Sequence, residues 1–282
     1  PTVPLHLAWP LPDNFALIDT GPRFSFRSFH IHTEHPLELV DLLQGDDAVV
    51  GLNGSNGTTV VPWSSMVPEF AAWCQWALAN KQNRVEWVLL VTEEWRRSGF
   101  VNSTLRQRRL RTLTDLAHGF GLLVGADVPI AEIQQHAWYM VDSPSFSTLD
   151  VAKKALKRRM EWLFGSDGGA GFDYLNTESG FTEFTHPNGT LMLHLMNMTA
   201  DMAQENYGVP TYIKCHCSTG QTSPGYPDPR TGQPINFNFL PHYATTNMGV
   251  LPHTVQIYSI DGEPTAGTYG NLNFTAMYDF MS

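Results

Sequence analysis

The stretch Val85-Glu-Trp-Val-Leu-Leu-Val91 decides how the chain folds, because it is the clearest β-strand in the sequence. An amphipathic segment over residues 103–117 follows it, with leucines at helical spacing. The apolar run Gly121-Leu-Leu-Val-Gly125 then predicts another strand. Strand, helix and strand in this order are typical of a parallel sheet covered by helices.

The same alternation extends outward in both directions. Further strands are predicted at residues 24–32, 47–52, 172–175, 211–217 and 255–259. Further helices are predicted at residues 36–45, 67–78, 147–162 and 191–205. Ser147 and Asp150 have the spacing of a capping box at the start of the third of these helices. Residues 131–140 fit either a helix or a strand.

Seven or eight strand–helix units without a repeat or a linker match the size and order of an α/β barrel, the (β/α)8 or TIM-barrel class. We therefore expect one barrel domain over residues 1–282, irregular or incomplete at its C-terminal end. Residues 1–23 are expected to form an N-terminal extension and residues 218–250 a long loop insertion. A doubly wound open sheet is the rival fold, but its Gly-rich phosphate fingerprint is absent.

Composition limits the partners of the chain. Charged residues make up 16% of the 282 residues, against about 25% in ordinary soluble domains. The formal net charge of −10 argues against nucleic acid or an anionic membrane surface as the main partner. No apolar run approaches the roughly 20 residues that a membrane span needs.

The sequence holds six Asn-x-Ser/Thr sequons, where about two or three would be expected by chance. They lie at Asn53, Asn56, Asn102, Asn188, Asn197 and Asn273. N-linked glycans at these positions would keep a thinly charged surface in solution, and they predict an extracellular or cell-surface protein made in the secretory pathway. The alternative for the first two positions is that Asn-Gly simply marks turns.

The three cysteines are too few for a disulfide framework. Cys74 lies in a predicted helix, and Cys215 and Cys217 lie in a predicted strand. One disulfide with one free thiol, or three thiols, both fit this pattern.

Titratable residues collect where the predicted strands end, which is where the active sites of barrels lie. They are His30, His32 and Glu34, Glu93 and Glu94, Asp127, Glu178, and Lys214 and His216, with His242 and His253 in the loop that leads into the last predicted strand. We expect a hydrolase-like site there, with Glu178, Lys214 and Glu94 as catalytic residues and a small molecule or a carbohydrate as substrate. His30, His32, Glu178, Lys214 and His216 are predicted to meet in one cavity at the carboxyl ends of the strands.

His30-x-His32 on the first strand predicts a divalent metal such as zinc, because neighbouring imidazoles offer lone pairs to one space. The first-strand motif resembles that of the amidohydrolase-type metal-dependent barrel hydrolases. That resemblance implies a further strand lysine, two later strand histidines and a last-strand aspartate, for which Lys214, His216, His253 and Asp261 are the nearest matches. His30, His32, His216 and His253 are therefore the predicted ligand set. Lys214 lies later in the chain than the family pattern places its lysine.

Two other functions fit the same residues. A metal-free glycoside hydrolase would use Glu93 or Glu94 with Glu178 or Glu183 as its carboxylate pair. Residues 173–180 place Asn176 and Glu178 after a strand, as a sugar site would. A structural extracellular glycoprotein, self-associating in a filament or a cell-surface assembly, would keep only a relict site. The charged residues of two helices are predicted to form solvated outer faces, namely Arg106, Arg108, Arg109 and Arg111 on one, and Asp150, Lys153, Lys154, Lys157, Arg158 and Arg159 on the other.

Overall fold

A computed structural model of the chain describes residues 25–31, 48–51, 58–89, 104–131, 140–141, 148–166, 168–179, 188–216 and 222–253. The strands are β1 (Ser28–Ile31), β2 (Ala48–Gly51), β3 (Thr58–Val61), β4 (Arg84–Val88), β5 (Leu123–Asp127), β6 (Tyr174–Ser179), β7 (Thr211–His216), β8 (Thr222–Pro227), β9 (Pro234–Asn236) and β10 (Met248–His253). The helices are α1 (Trp63–Ala79), α2 (Thr104–Gly119), α3 (Leu149–Phe164) and α4 (Gly189–Tyr207), with a 3₁₀ helix at Phe237–Tyr243.

Six of these strands form one parallel sheet in the order β1-β4-β5-β6-β7-β10. The sheet strands are therefore neighbours in the order in which they occur along the chain. A doubly wound sheet would reverse this order near its middle, so the observed order is that of a TIM-barrel-like α/β fold. The predicted fold class is confirmed.

The sheet is strongly curved. Phe26, two residues before β1, has its ring centroid 5.8 Å from that of Tyr212 on β7. In a flat sheet β1 and β7 would lie about 19 Å apart, four steps of roughly 4.8 Å. The Phe26 ring also lies 5.4 Å from the Tyr174 ring on β6. The strands therefore curl around an interior that these aromatic rings fill.

The helices cover the outer face of the sheet. Side chains alternate along each strand, so on β4 the buried Val85 and Trp87 belong to the outer face. The Trp87 ring lies 5.2 Å from that of Phe70 on α1. Leu110 of α2 and Leu156 of α3 belong to the same buried cluster. This core holds the strands in place and leaves their other face for the interior.

Two local predictions were wrong. Residues 47–52 do form a strand, β2, but it pairs antiparallel with β3 in a separate hairpin and does not enter the parallel sheet. Only six residues join β2 to β3, and a parallel neighbour needs a crossover of a dozen or more. Arg106, predicted on an outer helix face, is only 1% exposed. It lies on the buried side of α2, with Leu110 and Leu113.

The helix starts follow local hydrogen bonding. Thr148, one residue after the predicted Ser147, is the N-cap of α3, and its hydroxyl oxygen accepts a hydrogen bond from the Val151 N–H at 3.2 Å. Asn188 caps α4 in the same way, by accepting from the Leu191 N–H at 3.0 Å. Gly208 ends α4 in the left-handed conformation, at φ 66°.

The segment predicted as a loop over residues 218–250 contains regular structure. It holds the β8–β9 hairpin, the 3₁₀ helix and the first residues of β10. The 3₁₀ helix packs beside α4 and β7. His242 lies in this helix, and His253 is the last residue of β10 and not part of a loop. The strand predicted at 255–259 lies outside the residues that the structure describes.

Candidate active site

The interior of the curved sheet has an aromatic floor near the start of the strands. Phe26, Tyr174 and Tyr212 pack edge to face, and the Arg84 guanidinium lies 4.0 Å above the Phe26 ring and 5.0 Å above the Tyr174 ring. The Tyr174 hydroxyl donates to the Val85 carbonyl at 3.3 Å. Burial raises the pKa of this hydroxyl well above its ordinary value, and the nearby Glu86 carboxylate raises it further. Tyr174 is therefore a neutral part of the floor.

Four polar side chains form a cluster in the interior, two residues further along the strands than the floor. It consists of Glu86 on β4, Asp127 on β5, Asn176 on β6 and Lys214 on β7, and we call it the polar layer. The Lys214 ammonium forms an ion pair with Asp127, and its Nζ lies 3.8 Å from the Glu86 Oε1. The Asn176 Nδ2 donates a hydrogen bond to the Glu86 Oε2. Four separate strands thus supply one connected network.

The polar layer is buried. Asp127 exposes 2% of its side chain, Glu86 5% and Lys214 15%, so the lysine has the most contact with solvent among the three charges. Charges in such a place interact strongly, because the surroundings screen them far less than water does. A cation shared by two carboxylates attracts both of them and fixes their position.

Strand alternation explains why these residues meet. Arg84 and Glu86 are two apart on β4, as are Tyr174 and Asn176 on β6, so each pair faces the interior while the residue between them faces the helices. Asp127 and Asn176 are register neighbours on β5 and β6. The network therefore follows directly from a parallel sheet curled into a barrel-like wall.

The structure places several predicted site residues by their backbone register. Glu178 on β6 is the register neighbour of Lys214 on β7. His216 and His253 are register neighbours at the ends of β7 and β10, and His30 on β1 is the register neighbour of Glu86. His32, Glu93 and Glu94 lie outside the described residues. So do Glu34 and Asp261.

Of the predicted catalytic set, Lys214 has a described side chain and lies in the polar layer. Glu86 was missed by the sequence analysis as a site residue. A lone glutamate within the apolar run of β4 was the available signal for Glu86, because an isolated carboxylate between Val85 and Trp87 must be paired if it is buried. Asn176 was predicted only as part of a sugar site together with Glu178, and its hydrogen bond to Glu86 had no signal in the sequence.

Among the side chains that the structure describes, no group of three or more histidine, cysteine, aspartate or glutamate residues is arranged to hold a metal ion.

Cys74 is a buried free thiol, and burial raises its pKa to about 12.

No helix within the described ranges is long and apolar enough to cross a membrane.

Two sequons have described surroundings. Asn188 is exposed at the start of α4, and Asn197 lies part-buried within the same helix, where its amide oxygen accepts from the Thr245 N–H at 2.8 Å. The sequons at Asn53, Asn56, Asn102 and Asn273 lie outside the described residues.

A groove of about 500 Å³ lies on the outside of the fold, between α3 and α4. Lysines of α3 and carboxylates of α4 line it, together with His194 and Asn197, and no residue of the parallel strands takes part. It is therefore separate from the polar layer.

No protein-family model and no curated protein matches the sequence. Among solved structures, a Thermobaculum terrenum O-GlcNAc hydrolase mutant is 10% identical over 80% of this chain and 40% of its own, with a TM-score of 0.41. A family GH13_31 enzyme is 9% identical over 69% of this chain and 47% of its own, with a TM-score of 0.39. The Legionella pneumophila ChiA C-terminal domain is 13% identical over 63% of this chain and 52% of its own, with a TM-score of 0.36. This chain thus spans about half or less of each of these proteins, and the fold assignment rests on the strand order and curvature.

Proposed function

We propose that the chain is a hydrolase whose reaction takes place at the carboxyl ends of the parallel strands, with Lys214 at the centre of the site. The observation that supports this is one buried ammonium shared by two carboxylates, Asp127 and Glu86. Replacing buried ion pairs by apolar side chains of similar volume is often neutral or stabilising. Buried clusters of charged side chains of this kind are typical of functional sites.

Glu178 is the acid–base residue in this proposal, because it is the register neighbour of Lys214 near the end of β6. Its carboxyl group would take a proton from the attacking water or give one to the leaving group. Lys214 would donate a hydrogen bond to a substrate oxygen and hold the substrate beside Glu178. Glu94, in the segment that follows β4, would supply the second carboxylate if the substrate is a glycoside.

The proposal has two forms, and in one of them the site binds a divalent metal such as zinc. His216 and His253 are neighbours in the register at the ends of β7 and β10, and such neighbours can offer imidazoles to one ion. His30 and His32 would complete the ligand set. When bound, the metal would lower the pKa of a coordinated water. In the other form, the carboxylates alone act on a carbohydrate.

The proposal also covers where the protein works. Six sequons, of which Asn188 is exposed at a helix start, support an extracellular or cell-surface glycoprotein. The acidic net charge of −10 supports a small-molecule or carbohydrate substrate over nucleic acid.

One observation favours a second function, a structural role in an extracellular assembly. Trp76 of α1 is 49% exposed and lies 6.5 Å from the partly buried Trp73 ring. Large exposed aromatic side chains are enriched in the cores of protein interfaces. Self-association would then bury this part of α1, and Trp76→Ser would shift the sedimentation of the chain toward monomer. A wild-type chain that stays monomeric at every concentration contradicts the structural role.

The hydrolase proposal is tested by turnover with the purified chain on chromogenic glycosides, esters, amides and phosphate esters. Glu178→Gln is expected to lower the rate on any accepted substrate by about 10²-fold or more, with an unchanged unfolding temperature. The control is Thr177→Val, a change at the next residue of β6, which is fully buried on the opposite face of the strand. It should keep the wild-type rate.

Metal analysis separates the two forms. A metal-dependent enzyme should hold about one or two divalent ions, and His216→Ala with His253→Ala should remove them together with the activity. A metal-free enzyme should keep its rate in the presence of a chelator. A folded chain that turns over no substrate of the panel, with or without added zinc, contradicts the proposed function.

A further inference from the structure

We infer that the amide oxygen of Asn176 accepts a hydrogen bond from a neutral hydroxyl or N–H group of the substrate, so that the site takes a neutral polyhydroxy compound and excludes anions. The inference rests on the proposed function only in assuming that the substrate binds at the polar layer. It names a binding residue and a chemical class for that site.

The orientation of the Asn176 amide is fixed by its partner. Glu86 is an acceptor only, so the amide must turn its Nδ2 toward that carboxylate, as observed. The opposite orientation would place the Asn176 oxygen against a carboxylate oxygen. Glu86 is therefore a positioning residue for Asn176.

The Asn176 oxygen is left as an acceptor without a donor. Asn176 is 1% exposed, and within the described part of the chain no group donates to its Oδ1. A buried acceptor in this state is destabilising, because it has lost its hydrogen bonds to water. A donor supplied by a bound molecule would satisfy it. The polar layer thus offers one buried acceptor to a bound molecule.

The charges of the polar layer favour a neutral or cationic ligand. Lys214 is already shared between Asp127 and Glu86, so a phosphate or a carboxylate would have to compete with both of them for the ammonium. The Arg84 guanidinium is stacked over the Phe26 and Tyr174 rings of the floor. Hydroxyl groups carry no such penalty and can both donate to Asn176 and accept from Lys214.

The aromatic floor also limits the direction from which a ligand can reach the polar layer. The rings of Phe26, Tyr174 and Tyr212 fill the interior toward the start of the strands. Lys214 has the largest exposed fraction among the three charged residues of the layer. A ligand would therefore enter from the carboxyl ends of the strands and meet Lys214 before it reaches Asn176.

Binding to the purified full chain tests the inference without needing turnover. The probes are methyl glucoside, methyl galactoside, methyl N-acetylglucosaminide and the cationic iminosugar 1-deoxynojirimycin, set against inorganic phosphate and acetate at equal ionic strength. Calorimetric titration should detect at least one neutral or cationic probe and neither anion. The same probe should shift the Asn176 side-chain amide signal in a ¹⁵N-labelled sample.

Variants assign the effect to Asn176. Asn176→Leu is expected to weaken the bound probe about tenfold or more, and Glu86→Gln to weaken it less, because the Asn176 oxygen is retained while its orientation is no longer enforced. Thr177→Val, buried to the same degree on the same strand, should bind as the wild type does.

The outcomes separate the inference from the proposed function. A neutral probe that binds without any turnover supports the inference and contradicts the hydrolase. Turnover of a phosphate ester, or tight binding of phosphate alone, overturns the inference while leaving a hydrolase. Binding of no probe, or a probe affinity that Asn176→Leu leaves unchanged, also overturns it. If Asn176→Leu does not fold, the contrast between neutral and anionic probes on the wild-type chain decides.

Discussion

The ring of Tyr174 occupies the space beside Gly125 that a side chain there would fill. The two residues are register neighbours on β6 and β5, and a Cβ at position 125 would overlap the Tyr174 ring. This glycine lets the ring lie across β5 and reach the Val85 carbonyl on β4. The aromatic floor under the polar layer depends on it.

Gly125→Ala is therefore expected to destabilise the protein by about 1–3 kcal/mol, the usual range for overpacking a well-filled interior. Chemical denaturation measures the change. Gly119→Ala, at the end of α2 with no atom near the added methyl, is the matched control and should be neutral or slightly stabilising. Equal effects of the two substitutions would contradict the packing of the floor.

Removing the cation of the polar layer should be far more damaging than removing a surface charge. Lys214→Met is expected to cost about 3–5 kcal/mol of unfolding free energy, because two buried carboxylates lose their common partner. Arg111→Met, which breaks an exposed 2.8 Å pair with Asp115 on α2, should cost about 0.5 kcal/mol or less.

A double-mutant cycle then measures the pairing itself. Asp127→Asn should be much less damaging in the Lys214→Met background than in the wild type, with an interaction free energy of about 0.5–3 kcal/mol. Additive effects would mean that the two side chains do not interact in solution.

The N-cap of α3 gives a local test. Thr148→Ala should lower the unfolding free energy by about 1 kcal/mol, because the Val151 N–H loses its acceptor. Ser147→Ala, one residue earlier, should have a smaller effect. Urea denaturation of both variants distinguishes the observed cap from the one that the capping-box spacing predicted, and a larger loss at residue 147 would favour the latter.

Cys74 should be inert in the folded protein. Burial raises the pKa of its thiol from 9.0 to about 12, so the reactive thiolate is rare near pH 8. Iodoacetamide with peptide mapping should label Cys74 in urea and hardly at all in native buffer. Because the folded state holds this proton more tightly than the unfolded state, the stability that it contributes falls as the pH rises from about 9 toward 12. Cys74→Ala should flatten that part of the pH profile.

Glycosylation should be seen by mass when the chain is secreted from eukaryotic cells. We expect glycans on at least three of the six sequons, with Asn188 among them. Thr190→Val should remove the Asn188 glycan and Thr190→Ser should keep it, while neither substitution changes the asparagine that caps α4. An intact mass that enzymatic removal of N-glycans leaves unchanged contradicts the secretory assignment.

How far the sequence predicted the fold depends on the range of the interactions involved. The strands β4, β5 and β7 and the helices α1 to α4 were predicted within a few residues, because period-two and helical patterns reflect burial of one face. The strand β2 was predicted, but its pairing with β3 in a hairpin was not. The apolar run of β2 alone does not say which strand it pairs with, although the two Asn-Gly sequences at residues 53–57 are typical of a connection to a local partner.

Local patterns of apolar and polar residues were enough to predict the class of the fold and to place Lys214 at the end of a strand. They could not predict that Lys214 contacts Asp127 and Glu86, residues that lie 87 and 128 positions earlier in the chain. Nor could they predict that Glu86 fixes the orientation of the Asn176 amide. The physical reason is that sheet curvature brings side chains of distant strands together inside the barrel, and curvature comes from the packing of whole strands and helices rather than from any short stretch of sequence.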